Sequence, residues 1–205
     1  MEAVNRLYKE GYFKRFGISN FMSWEVAQCV EICRAKGYIQ PTVYQGLYNS
    51  LQRSIEPELI TCLRHYGMSL YAYNPLAGGF YTGRYGTGTD HVEADPSSRF
   101  DKNTGQGKNY RDRYWNTGYF NGLANIRAAA DKHNLTLTEV AFRWMSHHSV
   151  LKRELGDAII LGTSSVKHMQ QNLDDLDKGP LPADVVQAVD EAWESARPFA
   201  VKYHH

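Results

Sequence analysis

Short apolar runs alternate along the chain with longer segments whose apolar residues recur every three or four positions, a pattern that predicts βα units around a parallel sheet. The first unit is a strand over Arg15 to Ser19 and the helix "SWEVAQCVEICRAKG", with Ser23 as N-cap, Gly37 as its stop and Val26, Val30 and Cys33 on one face. The second has a strand over Thr42 to Gln45 and the helix "EPELITCLRHYG", with Pro57 near its first turn and Gly67 behind its last. A third strand covers Ser69 to Ala72. From Gly83 to about Tyr114 the chain is rich in Gly, Asn, Asp and Ser, which predicts a long loop acting as a lid. Helices over about Tyr119 to His133 and Thr138 to His147 follow, the second with Leu137, Val140, Ala141 and Trp144 on one stripe. The fourth strand, Ala158 to Leu161, leads through "GTSS" into the helix "VKHMQQNLDDL", and Pro182 opens a last helix reaching Ser195. No repeat, low-complexity tract or linker interrupts this order, so residues 1–205 read as a single domain.

Composition narrows the function classes. A formal charge of +1 leaves no electrostatic footprint for nucleic acid or an anionic membrane surface. No apolar run approaches the roughly 20 residues of a spanning helix. The opening "MEAVNRLYKEGYFKR" lacks the apolar centre of a signal peptide and reads as the end of an amphipathic helix, which points to the cytoplasm. Cys29, Cys33 and Cys62 are odd in number, and no further metal ligands stand near them, so they read as buried or half-buried thiols.

Four parallel strands fit an open doubly wound sheet or part of a closed (β/α)8 barrel, and pattern does not separate the two. Both place ligands at the carboxyl ends of the strands. Here those ends carry Ser19 and Asn20, then Gln45, then Asn74 to Arg84, then Gly162 to Ser165. Gly78, Gly79 and Gly83 leave backbone N–H groups open to a pyrophosphate, and Arg84 is suited to pair with it bidentately. Ser164 and Ser165 open a helix whose N-terminal dipole favours an anion. On that helix His168, Gln171 and Asn172 follow at i, i+3 and i+4, a face suited to an adenine and its ribose. Arg99 adds a positive contact for an extra phosphate, which favours NADP over NAD.

Each feature alone has a plainer reading. Glycines serve tight turns, Ser164 serves as an N-cap, and single arginines or a histidine are solvated surface groups. Their joint placement at one end of the sheet carries the nucleotide reading.

The segments "RFGISNF", "PTVYQGLYN", "YAYNPLAGGFYTGRY", "SSRF", "ILGTSS" and "MQQNL" resemble, in order and spacing, those of aldo-keto reductases, with the aflatoxin aldehyde reductase branch the nearest likeness. The resemblance runs nearly end to end. It implies an α/β fold that is a partial (β/α)8 TIM barrel, the C-terminal half, with the chain's strands matching strands five to eight and helices flanking them. It implies NADPH as cofactor and a small-molecule carbonyl substrate. Ser19, Asn20 and Gln45 would bond the nicotinamide carboxamide, with Tyr73 stacked on the ring. Asn74, Pro75, Leu76, Gly78, Gly79, Gly83 and Arg84 would wrap the pyrophosphate. Arg99 and the stretch holding Ser164, Ser165, His168, Gln171 and Asn172 would hold the adenosine end with its 2′-phosphate, and Tyr110 would line the substrate pocket.

The family's Asp, Tyr, Lys and His tetrad belongs to the first half of its barrel, and no residue of this chain is assigned to it. The 14 tyrosines and 8 histidines supply no substitute: Tyr8, Lys9, His65, His147 and His148 read as structural or solvated. The chain ends "KYHH" where mammalian members of the branch end in an arginine that meets a substrate carboxylate. Three readings follow. The first is the half of an NADPH-dependent reductase that holds the nucleotide, inactive when isolated. The second is a non-catalytic partner that forms a homodimer or pairs with a full-length relative, and the third a dehydrogenase with a relocated acid, for which only Tyr73 stands at a strand end.

Overall fold

Gly17–Ser19 (β1), Val43–Leu47 (β2), Ser69–Tyr73 (β3) and Ala158–Ile159 (β4) form one parallel sheet in the order β1-β2-β3-β4. The computed structural model describes residues 1–86 and 98–204. Register sets Ser19 opposite Gln45, Gln45 opposite Tyr71 and Tyr71 opposite Ala158. Successive side chains point to opposite faces, so Ile18, Tyr44, Leu70 and Ala72 share the face buried under helices. Gly17, Ser19 and Gln45 lie exposed on the other face, where Tyr71 and Tyr73 are half-buried. Among the described residues, β1 and β4 are the edges of the sheet.

The helices are Glu2–Lys9 (α1), Ser23–Lys36 (α2), Leu59–His65 (α3), Gly105–Tyr114 (α4), Thr117–Asp131 (α5), Leu137–His147 (α6), Val166–Leu176 (α7) and Ala183–Ala196 (α8). No described helix is long and apolar enough to cross a membrane. Val26, Val30 and Cys33 of α2, and Leu137, Val140, Ala141 and Trp144 of α6, are buried on the stripes that their spacing predicts. Gly37 closes α2 at φ 64, a left-handed position that glycine takes without a Cβ clash.

Three local expectations need correction. The N-cap of α2 is Met22, not Ser23: the Glu25 carboxylate accepts from the Met22 N–H at 2.7 Å, while the Ser23 hydroxyl turns to Glu58 across to α3. Helix α3 starts at Leu59, beyond Pro57. The expected loop from Gly83 to Tyr114 holds a ten-residue helix, α4; residues 87–97, including Ser97 of "SSRF", lie outside the described residues, as does His205. Thr104 caps α4 by accepting from Gly107 N–H at 2.9 Å. Tyr110 and Tyr114, one turn apart, pack it against Phe80 and Phe100, so tertiary burial outweighs a glycine-rich, polar sequence.

The last βα unit is held by one carboxylate. Asp157, fully buried, accepts from both Arg64 Nη atoms of α3 (2.9 and 2.5 Å), from Leu70 N–H of β3 (2.7 Å) and from Lys152 N–H (2.7 Å). Ser69 reinforces it by donating to the Leu155 carbonyl at 2.8 Å. Asp157→Ala strips four donors of their acceptor and leaves a guanidinium uncompensated. It is expected to lower the unfolding free energy by about 3–5 kcal/mol, read as a fall in urea midpoint at unchanged slope.

Cys29 and Cys33 are buried on α2 and Cys62 is half-buried on α3, as their type predicts. Burial pushes the Cys29 thiol up to about 11. At about pH 8 a disulfide reagent is expected to modify Cys29 and Cys33 slowly in the folded chain and all three thiols rapidly in denaturant, followed by absorbance of the released thiolate.

Candidate functional site

Behind β3 the backbone leaves ordinary conformational space. Asn74 (φ 62) and Ala77 (φ 50) join Gly78 (φ 70), Gly79 (φ 104) and Gly83 (φ 72) in the left-handed region. Such strain in non-glycine residues persists only where the surroundings enforce it. Here Asn49 enforces it: fully buried, it donates from Nδ2 to the Asn74 carbonyl at 3.0 Å and to the Tyr114 hydroxyl at 3.3 Å. The Asn74 side chain accepts from the Tyr110 hydroxyl at 3.1 Å through Oδ1. Its Nδ2 is buried with no partner among the described residues.

The three glycines are not alike. A Cβ on Gly78 would meet Tyr110 Cε1 at 2.2 Å, so that glycine admits the tyrosine ring rather than a ligand. A Cβ on Gly83 would meet Arg127 Nη2 at 2.2 Å, and Arg127 donates to the Gly83 carbonyl at 3.1 Å. Only Gly79 faces open space, with Thr82 Cγ2 the nearest atom at 4.0 Å. Pro75 is buried, Leu76 half-buried and Arg84 exposed.

The register of the sheet sets Ser19 and Gln45 side by side on the open face, next to Asn20 at φ 70. Tyr73, the last residue of β3, follows on that face. Burial pushes the pKa of its hydroxyl up, while Arg113 works against the rise by charge and hydrogen bond. Arg99 donates to the Tyr110 hydroxyl at 3.2 Å, and its Nη2 lies 3.5 Å from where a Cβ on Gly162 would stand. Asn74 of the turn after β3 is thereby linked to the turn after β4 through Tyr110 and Arg99.

At the second turn Ser165, not Ser164, is the N-cap of α7, accepting from His168 N–H at 3.2 Å; the Ser164 hydroxyl meets His168 Nδ1 instead, also at 3.2 Å. The expected face of His168, Gln171 and Asn172 is divided. His168 and Gln171 are exposed, whereas Asn172 is buried at 7% exposure, because 100° per residue carries it round toward the covered side of α7.

Two residues at this site escaped the sequence reading. Asn49 sits beyond β2, and a polar residue directly behind an apolar run was its signal. Arg113, whose guanidinium carbon lies 5.7 Å from the Tyr110 ring centre, became visible only with α4 folded. The remaining titratable groups are structural. Burial pushes Tyr44, Tyr48, Tyr81, Tyr114 and Tyr119 well above the usual tyrosine range, unsuited to proton transfer near neutrality. His148 is lowered by burial and accepts from Leu181 N–H at 2.9 Å, and His147 bonds the Lys178 carbonyl at 2.6 Å.

Gly78→Ala has to displace the Tyr110 ring as well as adopt a strained φ, whereas Gly79→Ala faces only the strain. Gly79→Ala is expected to cost about 1 kcal/mol and Gly78→Ala about 1–3 kcal/mol more. Denaturant unfolding of the two variants side by side measures the difference.

The aldo/keto reductase family model matches residues 1–194. An aldo-keto reductase of Pseudocercospora fijiensis is 51% identical over 99% of this chain and 68% of its own length. Aldo-keto reductase pigE of Monascus ruber is 45% identical over 100% of this chain and 60% of its own length. Aflatoxin B1 aldehyde reductase member 2 of Mus musculus is 44% identical over 94% of this chain and 53% of its own length. The chain thus spans between about half and two thirds of the relatives it matches. With a family match over nearly its whole length and identities above 40% to three reductases, the chain belongs to the aldo/keto reductase family of oxidoreductases.

Proposed function

We propose that the chain is the nucleotide-holding half of an NADPH-dependent aldo-keto reductase, its β1 to β4 matching strands five to eight of a (β/α)8 barrel. The observation that supports this reading is the parallel order β1-β2-β3-β4, in which the groups behind all four strands fall at one end of the sheet, with Arg99 Nη2 3.5 Å from the Cβ position of Gly162. NADPH fits the residues present. The buried Asn74 Nδ2 has no hydrogen-bond partner among the described residues, Gly79 leaves its backbone open, and Ser19 and Gln45 stand exposed in register. Ser19, Asn20 and Gln45 would bond the nicotinamide carboxamide and Tyr73 would cover the ring. Asn74 to Arg84 would hold the pyrophosphate, with Pro75, Leu76, Gly78 and Gly83 shaping the turn. Arg99, Ser164, Ser165, His168, Gln171 and Asn172 would hold the adenosine end, Asn172 from its buried position by framing the helix.

When bound, the nicotinamide supplies a hydride to the carbonyl carbon of an aldehyde or ketone. This chain's residues would orient it, with Tyr110 and α4 covering it from water and Arg113 beside Tyr73 as a positive charge. No residue here is placed to protonate the carbonyl oxygen. Tyr73, the remaining candidate, has its acidity lowered by burial rather than raised, which argues against a relocated acid. The proton donor would come from the part of the relatives' length that this chain does not span, so the 205 residues alone are expected to show no turnover.

A second reading is a non-catalytic nucleotide binder that pairs with a copy of itself or with a full-length relative. The exposed sheet face with Gly17, Ser19 and Gln45 favours it.

Titration of the chain with NADPH, followed by its protein fluorescence, tests the proposal; saturable binding is the expected result, and its absence in a folded sample overturns it. Arg99→Ala is expected to weaken NADPH roughly tenfold, the worth of a charge-assisted bond, and NADH little. Equal loss for both would remove Arg99 from the 2′-phosphate.

A further inference from the structure

Tyr110 enters the sequence reading as a wall of the substrate pocket, yet its hydroxyl is committed on the other side. It donates to Asn74 Oδ1 at 3.1 Å and accepts from Arg99 Nη1 at 3.2 Å. The ring is seated on Gly78, whose missing Cβ makes the room, and stands edge-on to Phe100 with centres 5.9 Å apart. The residues on either side of Arg99 are tied down as well: the Ser98 side chain shares a hydrogen bond with the Tyr85 hydroxyl at 2.8 Å, and the Phe100 carbonyl accepts from Arg111 Nε at 2.7 Å. An exposed arginine on a stretch held at both neighbours keeps only its side-chain rotations. Tyr110 removes those.

A guanidinium is a rigid fork. With Nη1 held by Tyr110, the Nη2 edge is turned to the turn after β4, where it lies 3.5 Å from the Cβ position of Gly162. Helix α7 begins there with its capped N-terminus. A phosphate group between the two would meet a pre-aimed donor pair and the helix dipole together.

We propose that Tyr110 is a positioning residue for dinucleotide selection: its hydroxyl pre-aims Arg99 at the 2′-phosphate, so the tyrosine sets the preference for NADPH over NADH without touching the phosphate. The inference rests on the nucleotide reading of the same site. Freeing Arg99 restores side-chain entropy that binding must then remove.

Tyr110→Phe tests it in the 205-residue chain, because phenylalanine keeps the ring on Gly78 and deletes only the hydroxyl. NADPH affinity, read by protein fluorescence, is expected to fall roughly three- to tenfold further than NADH affinity, the worth of one net hydrogen bond, because loss of the bond to Asn74 bears on both nucleotides and loss of the bond to Arg99 on NADPH alone. In the Arg99→Ala background Tyr110→Phe is expected to leave the NADPH to NADH ratio unchanged. A merely structural tyrosine would weaken both nucleotides alike or leave the ratio as it was, and either result overturns the proposal. If Tyr110→Phe loses its cooperative unfolding transition, Arg99→Lys makes the same test. One ammonium cannot reproduce the two-sided fork, so the NADPH to NADH ratio should fall, and an unchanged ratio overturns the proposal. Failure of the wild-type chain to bind either nucleotide refutes the nucleotide reading itself, and this inference with it.

Discussion

The buried carboxylate of Asp157 is the constraint on which the arrangement rests. It joins a side chain of α3, a backbone N–H of β3 and the turn entering β4 through hydrogen bonds of 2.5 to 2.9 Å. A charge taken fully out of water is tolerated only when its lone pairs are filled, and here the filling groups come from three separate parts of the chain. β4 itself is two residues long and pairs with β3 at only two positions, so its ladder contributes little. The carboxylate holds the last unit in place. With it stand Gly162, Ser164 and Ser165, the far end of the candidate site.

The near end is governed by a different economy of space. Gly78 and Gly83 read as backbone left bare for a ligand, yet Tyr110 and Arg127 occupy the room they leave. The bare backbone makes room for side chains of this same chain. Asn49 keeps the strained Asn74 in place from beneath, and Tyr110 bonds it from above. Removal of a group that touches no ligand can therefore disturb the site as much as removal of one that does.

Much of this was legible along the chain. The alternation of short apolar runs with amphipathic stretches identified four strands and their parallel order, because a parallel sheet needs a helical crossover between its strands. The stripes of α2 and α6 were readable from spacing, since burial of one helical face fixes the period. Helix α4 was not, because Gly105, Gly107 and a run of polar residues have poor helical propensity, and the gain comes from Tyr110 and Tyr114 packing on Phe80 and Phe100. Nor was the N-cap of α2, where Ser23 had a better partner in Glu58.

The sequence by itself determined the family, the element order and the residue types gathered at the carboxyl ends of the strands, because these follow from local periodicity and from short motifs. Only the tertiary structure decided which glycine of the turn after β3 faces open space, that Asn172 turns inward while His168 and Gln171 do not, and that Arg99 stands between the Tyr110 hydroxyl and the turn after β4. Those outcomes depend on contacts between residues far apart in the chain, such as Arg99 beside Gly162 or Asn49 beneath Asn74. Local propensity carries no information about who arrives from elsewhere to fill a space or take a hydrogen bond.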